Sequence, residues 1–157
     1  MKRLGLLIIG ALVLAGAAGA GRAEQTDRWK VACTHDKVSA ELHCHVAFFT
    51  ESDEAGGWLG VAVQFLNGGH EIQVTSGGAN YSSAEIDLRT DTITITDYCY
   101  GSFCVFVKAD ELVEQFRKGR RADIRLYNGR EGLSIEKRVS LMGFSEAYEE
   151  YLNRIGE

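Results

Sequence analysis

Four cysteines (Cys33, Cys44, Cys99, Cys104) and four histidines (His35, His43, His45, His70) are the residues of this 157-residue chain with the most chemistry to offer. Thiols and imidazoles at short spacing could bind a transition metal, exchange disulfides or cross-link a fold. In Leu42-His43-Cys44-His45-Val46-Ala47-Phe48 the apolar residues alternate as in a strand, so His43 and His45 share one face while Cys44 points to the other. No single metal can take all three, because structural zinc needs four converging ligands and catalytic zinc three. His70-Glu71 lacks the second histidine of a zinc-protease helix. Neither a metal nor a cofactor is expected. Cys99 and Cys104 enclose four residues, whereas dithiol exchange enzymes use a two-residue spacer at a helix N-terminus, so a structural staple is the expected role. No nucleophile elbow surrounds Ser102 and no phosphate-cradling glycine loop is present, so catalytic residues are not expected and the chain reads as a non-enzyme.

Strands must position these side chains. Trp29, Val31 and Cys33 alternate with Lys30, Ala32 and Thr34, and a polar turn separates them from Leu42, Cys44, Val46 and Phe48. Four cysteines allow three pairings. If the two strands form a hairpin, parity brings Cys33 and Cys44 together on its inward face. Cys99 and Cys104 are then left to each other, with Gly101 letting the chain fold back.

The start of the chain predicts export. Lys2 and Arg3 precede an apolar core at 4–14, and small residues offer cleavage after Ala20 or, by preference, Ala23; residues 1–23 are read as a signal peptide. The apolar run is shorter than the ~20 residues of a membrane-spanning helix, so no transmembrane segment is expected in the mature chain. Residues 24–157 are one domain's length, 157 − 23 = 134 residues. Removing Lys2, Arg3 and Arg22 leaves 14 − 22 = −8 net charge, which disfavours nucleic acid as a partner. An even cysteine count in an exported chain predicts disulfides.

Further along, Leu59, Val61, Val63 and Phe65 lead through Asn67-Gly68-Gly69 to Ile72 and Val74, a second hairpin. Ala84, Ile86 and Leu88 mark another strand, and Thr92 to Thr96 a β-branched one with its isoleucines inward. Phe103 to Val107 is apolar on both faces and predicts an interior strand covered by the helix that follows. That helix ends in Arg117-Lys118, with Gly119 as a left-handed C-cap. Ile124 to Leu141 form a third hairpin, and a closing helix begins with Ser145 as N-cap. The fold class expected is mainly β: an antiparallel β-sandwich or flattened barrel with two short helices.

The sequence also resembles a known family. Trp29-Lys30-Val31-Ala32-Cys33, a second cysteine a dozen residues on, Cys99 to Cys104 with Val105-Phe106-Val107, and the closing Leu141-Met142-Gly143-Phe144-Ser145-Glu146-Ala147-Tyr148 are similar to the invasion-associated locus B family of exported bacterial proteins. The resemblance implies a β-sandwich in the periplasm or secreted from a Gram-negative bacterium, tied to the envelope or to host contact. It brings no catalytic motif. Arg117, Lys118, Arg120 and Arg121 form the strong basic cluster of an acidic protein; complementing the end of the helix dipole explains at least half of it, and the sharper expectation is a docking patch for an anionic partner such as a lipid headgroup or polysaccharide. The expected function is therefore a non-enzymatic binding module for an envelope or host protein or an anionic surface. The alternatives are a periplasmic metal- or redox-handling protein and an inhibitor of a hydrolase.

Overall fold

The computed structural model describes residues 28–36, 42–51, 58–66, 69–77, 80–88, 93–96, 99–107, 109–129 and 132–156. Residues 1–23, expected as a signal peptide, residues 52–57 and the side chains of Ile93 and Ile95 lie outside the described residues. The elements in order are β1 (Lys30–His35), β2 (Leu42–Glu51), β3 (Trp58–Leu66), β4 (Gly69–Ser76), β5 (Ser83–Asp87), β6 (Ile93–Thr96), β7 (Cys99–Tyr100) and β8 (Phe103–Val107). These are followed by α1 (Asp110–Lys118), β9 (Arg121–Asn128), β10 (Gly132–Ser140) and α2 (Phe144–Ile155).

The three hairpins read from turn signals are all present, as β1–β2, β3–β4 and β9–β10. Every strand pair is antiparallel, in a six-stranded sheet ordered β1-β2-β3-β4-β8-β7 and a four-stranded sheet ordered β10-β9-β5-β6. The sheets stay separate, so the architecture is a sandwich and not a barrel. Period-2 alternation explains the core: Val46, Phe48, Leu59, Val61, Val63, Ile72 and Val74 from the larger sheet meet Ala84, Ile86, Ala122, Ile124, Leu126 and Val139 from the smaller, all buried.

The smaller sheet is two strands narrower, and the helices pack on β1, β2 and β4. Trp29 is the centre of this end, with ring centroids 5.3 Å from Phe48, 6.1 Å from Phe116 and 4.8 Å from Phe144. Its indole N–H donates to the Ser140 carbonyl at 2.8 Å and so ties the head of β1 to the end of β10. Large aromatic area with one satisfied polar tip is an efficient way to join three layers.

Four local expectations need correction. Gly119 is extended (φ −80°, ψ 166°), not left-handed. Its role is close approach: a Cβ there would lie 2.8 Å from Leu141 Cδ1 and 3.0 Å from the Gln115 carbonyl, which its own N–H satisfies. Ser145 does not cap α2. The helix begins at Phe144 after Gly143 at φ 83°, and the Ser145 hydroxyl donates at 2.9 Å to the Arg117 carbonyl, one of the orphan acceptors at the end of α1. Strand β8 is interior to its sheet, between β4 and β7, but no helix among the described residues roofs it. Its outer neighbour is the two-residue β7, Val107 is 58% exposed, and α1 packs instead toward β4 and α2 because the Ala109 N–H bonds the His70 carbonyl. Leu42, read as inward, is exposed at the turn end of its hairpin opposite His35.

Candidate functional site

The cysteine pairs follow from register. Cys33 lies opposite Cys44 across β1–β2 and Cys99 opposite Cys104 across β7–β8, with Sγ–Sγ distances of 2.15 and 1.99 Å. Gly101, at φ 61°, makes the second turn tight enough. Their surroundings differ. Cys104 is fully buried, whereas Cys33 is half-buried with the Arg154 guanidinium 3.9 Å from its sulfur.

Strand parity puts His43 and His45 opposite to Cys44, as the alternation requires, and His45 is sunk deep enough that burial lowers its pKa from the ordinary value. Among the described residues no group of three His, Cys, Asp or Glu side chains converges on a metal position.

The structure divides the basic cluster in two. Arg117 is taken up by its surroundings, bonded to Glu114 at 3.0 Å, 3.9 Å from Glu149 and over the Tyr148 ring at 5.4 Å. Lys118 reaches Glu114 at 3.8 Å. Arg120 and Arg121 are exposed at the start of β9, and their side chains have no ion pair among the described residues. The cations of the cluster without a carboxylate partner among the described residues are therefore Arg120 and Arg121, with the exposed Lys118 beside them.

A further polar site is built from residues that stand far apart in sequence. His70, the second residue of β4, has its ring directed inward, its side chain only 14% exposed, and Nδ1 lies 2.5 Å from Asp110 Oδ1 while Nε2 lies 2.5 Å from the Tyr148 hydroxyl. The His70 backbone N–H also donates to Asp110 at 3.3 Å. Since a carboxylate only accepts, Nδ1 carries a proton toward Asp110, and Nε2 is paired with the phenol hydroxyl. The hydrogen bond from His70 holds the Asp110 carboxyl below its usual range. Carboxylate, imidazole and hydroxyl stand here in the order that activates a nucleophile in hydrolases. The hydroxyl, however, belongs to a Tyr148 that is only 4% exposed, stacked on Phe144 and covered by Arg117. The arrangement acts as a latch between β4, α1 and α2. One signal in the sequence pointed to it: His70 shares its parity with Ile72 and Val74. Nothing local pointed to Asp110 or Tyr148.

The outer face of the smaller sheet holds a charge cluster. Arg125 bonds Glu136 at 2.7 Å and lies 3.4 Å from Glu85 and 3.6 Å from Asp87, while Arg138 bonds the buried Asp123 at 2.8 Å. The Tyr127 hydroxyl donates to Glu85 at 2.5 Å, which raises its pKa above the ordinary value.

No protein-family model matches this chain, and no curated protein matches it in sequence. Among solved structures it is similar to the crystal structure of invasion associated protein B from Bartonella henselae, with a TM-score of 0.63 and 16% identity over 82% of this chain and 92% of that one. At that identity the likeness establishes a shared fold, and it runs through nearly the whole of the Bartonella protein.

Proposed function

We propose that this chain is an exported, non-catalytic interaction module of the bacterial envelope or host-contact surface, with Arg120, Arg121 and Lys118 as its docking patch for an anionic surface. The observation that carries the reading is the near-complete match in fold to a protein named for its association with invasion. Two cross-strand disulfides, which persist in oxidising compartments, and the apolar leader with its basic start support export. The basic pair stands out on a chain whose net charge is −5 before any cleavage. Such a patch attracts anionic headgroups at low ionic strength and releases them as salt screens it.

The test has two parts. Expressed from its full sequence in a Gram-negative host, the protein should appear in the osmotic-shock fraction, oxidised and shortened by 20 or 23 residues. A full-length product in the membrane pellet would remove the export reading. The purified product should then sediment with phosphatidylglycerol-containing vesicles at low salt but not with phosphatidylcholine vesicles, and an Arg120→Glu/Arg121→Glu variant should not sediment. Equal sedimentation of that variant would exclude the patch.

A second reading has one observation in its favour. Arg154 beside the half-buried Cys33 sulfur would stabilise a thiolate there, as expected of a labile disulfide in a redox-handling protein. Reduction of Cys33–Cys44 by millimolar glutathione, with Cys99–Cys104 left intact, would favour it.

A further inference from the structure

An antiparallel sheet with one solvated face should alternate apolar inside and polar outside, and the six-stranded sheet does not. Its registers align Phe49, Gly60, Thr75 and Phe103 in one row across β2, β3, β4 and β8, with Tyr100 of β7 at the end. The next row runs through Ala47, Ala62, Gln73 and Val105. Phe49 and Trp58 stack at 4.9 Å with their planes 20° apart. A Cβ at Gly77 would lie 2.8 Å from Trp58 Nε1, so that glycine seats the indole, while one at Gly60 would meet Thr75 Cγ2 at 3.1 Å and the Phe49 ring at 3.4 Å. Beside these rows Glu71 accepts from both Gln64 (3.1 Å) and Gln73 (2.7 Å) through the same Oε1 atom. That leaves Glu71 Oε2 and the two amide carbonyls as acceptors held in fixed positions.

We propose that this face is a binding site for a neutral glycan chain, with Phe49, Trp58 and Phe103 stacking on pyranose rings and the Gln64-Glu71-Gln73 cluster accepting from sugar hydroxyls. The C–H face of a pyranose carries partial positive charge and fits the negative face of an aromatic ring. Its rim of hydroxyls needs acceptors of fixed geometry, which is what the doubly anchored Glu71 provides. Charge complementarity favours an uncharged ligand. Among the described outward side chains of this face Lys30 is the one lysine or arginine and Glu71 the one carboxylate, whereas the outer face of the other sheet is crowded with both signs. The size fits a chain and not a single sugar. Phe49 and Phe103 are three strand spacings apart, roughly 14 Å, and Thr75 and Glu71 are four residues apart along β4, roughly 13 Å. The small residues Ala47, Gly60 and Ala62 keep the floor between them low. This site is separate from the Arg120–Arg121 patch and does not rest on it.

The two tryptophans make the test direct, because Trp29 is buried and Trp58 belongs to the proposed site. The exported protein is titrated with chitohexaose and with cellohexaose, followed by tryptophan fluorescence and calorimetry. A saturable blue shift and heat with at least one of them is expected. Trp58→Ala and Gln73→Ala should each weaken binding about tenfold, the loss of roughly one stacked or hydrogen-bonded contact. Arg120→Glu/Arg121→Glu should bind as the parent does. Absence of binding to both oligosaccharides at millimolar concentration would overturn the proposal, as would unchanged affinity in a folded Gln73→Ala variant. A dimer in sedimentation that Phe103→Ser dissociates would also overturn it, since the face would then be occupied by a second copy of this chain.

Discussion

The two sheets of this sandwich are held by different means. The six-stranded sheet carries both disulfides, one at each of its edges, in the β1–β2 and β7–β8 pairs. The four-stranded sheet has no cysteine and is laced on its outer face by Arg125 among Glu85, Asp87 and Glu136, and by Arg138 on Asp123. The difference follows from what each outer face displays. A face kept nearly free of charge cannot be stabilised by ion pairs, and its edges, which would otherwise fray, are pinned covalently. A face already covered in paired charge needs no such pins. Inward-facing Lys137 on the edge strand β10, opposite Ile124, also discourages edge-to-edge pairing there.

The largest effect should come from removing the covalent pins. In the chain-entropy model loops this short contribute roughly 2 to 3 kcal/mol each, a large share of a total stability of about 5–15 kcal/mol. Replacing all four cysteines by alanine should lower the melting temperature sharply. Hydrogen exchange should accelerate in β1 and β7 before β9. Uniform acceleration across both sheets would show that the pins hold the whole sandwich and not its edges.

Next in size is the tie between the sheets. Trp29→Phe keeps most of the aromatic packing but leaves the Ser140 carbonyl without its indole donor, at a cost of about 1–3 kcal/mol in thermal or urea unfolding. A change under a few tenths would mean that water replaces the bond and the sheets are joined by packing alone.

The pH response should separate the sheets further. In the larger sheet burial depresses His45, so the unfolded chain takes up its proton first, near the ordinary value of 6.5. That stability is present above pH 6.5 and declines as pH falls toward the folded value. In the smaller sheet the bond to Glu85 raises Tyr127, so its contribution is full below pH 10.0 and lost as pH rises through the folded value. Unfolding midpoints between pH 8 and 5 should lose part of their slope in His45→Gln and keep it in Tyr127→Phe; the reverse pattern would contradict the assignment.

The smallest effect is expected from salt. The pair of Arg125 with the exposed Glu136 is open to screening, so raising the ionic strength should lower stability slightly in the parent and not in an Arg125→Met variant. An equal response in both would mean that the cluster adds nothing measurable.

Much of this molecule could be read from residue types at short range. Period 2 with Gly, Asn and Ser turns announced the three hairpins and the two-layer β architecture, and cysteine parity announced which sulfurs face one another, because hairpin partners are neighbours in sequence as well as in space. The amphipathic run before Gly119 announced α1. What failed did so where a neighbour came from far along the chain. Gly119 answers to Leu141, Ser145 to Arg117, and the outer face of β8 to a helix that packs elsewhere.

The sequence by itself thus determined the three hairpins, the inward faces of their central residues and the pairing of cysteines, since each depends on alternation and turn chemistry within a dozen residues. The tertiary structure alone decided which cations of the basic cluster keep no carboxylate partner among the described residues, that His70 would meet Asp110 and Tyr148, and that Phe49, Trp58 and Phe103 would stand on one outer face of the larger sheet. Those outcomes depend on strand order and helix placement, which are set by the packing of the whole core and leave no local signature in the chain.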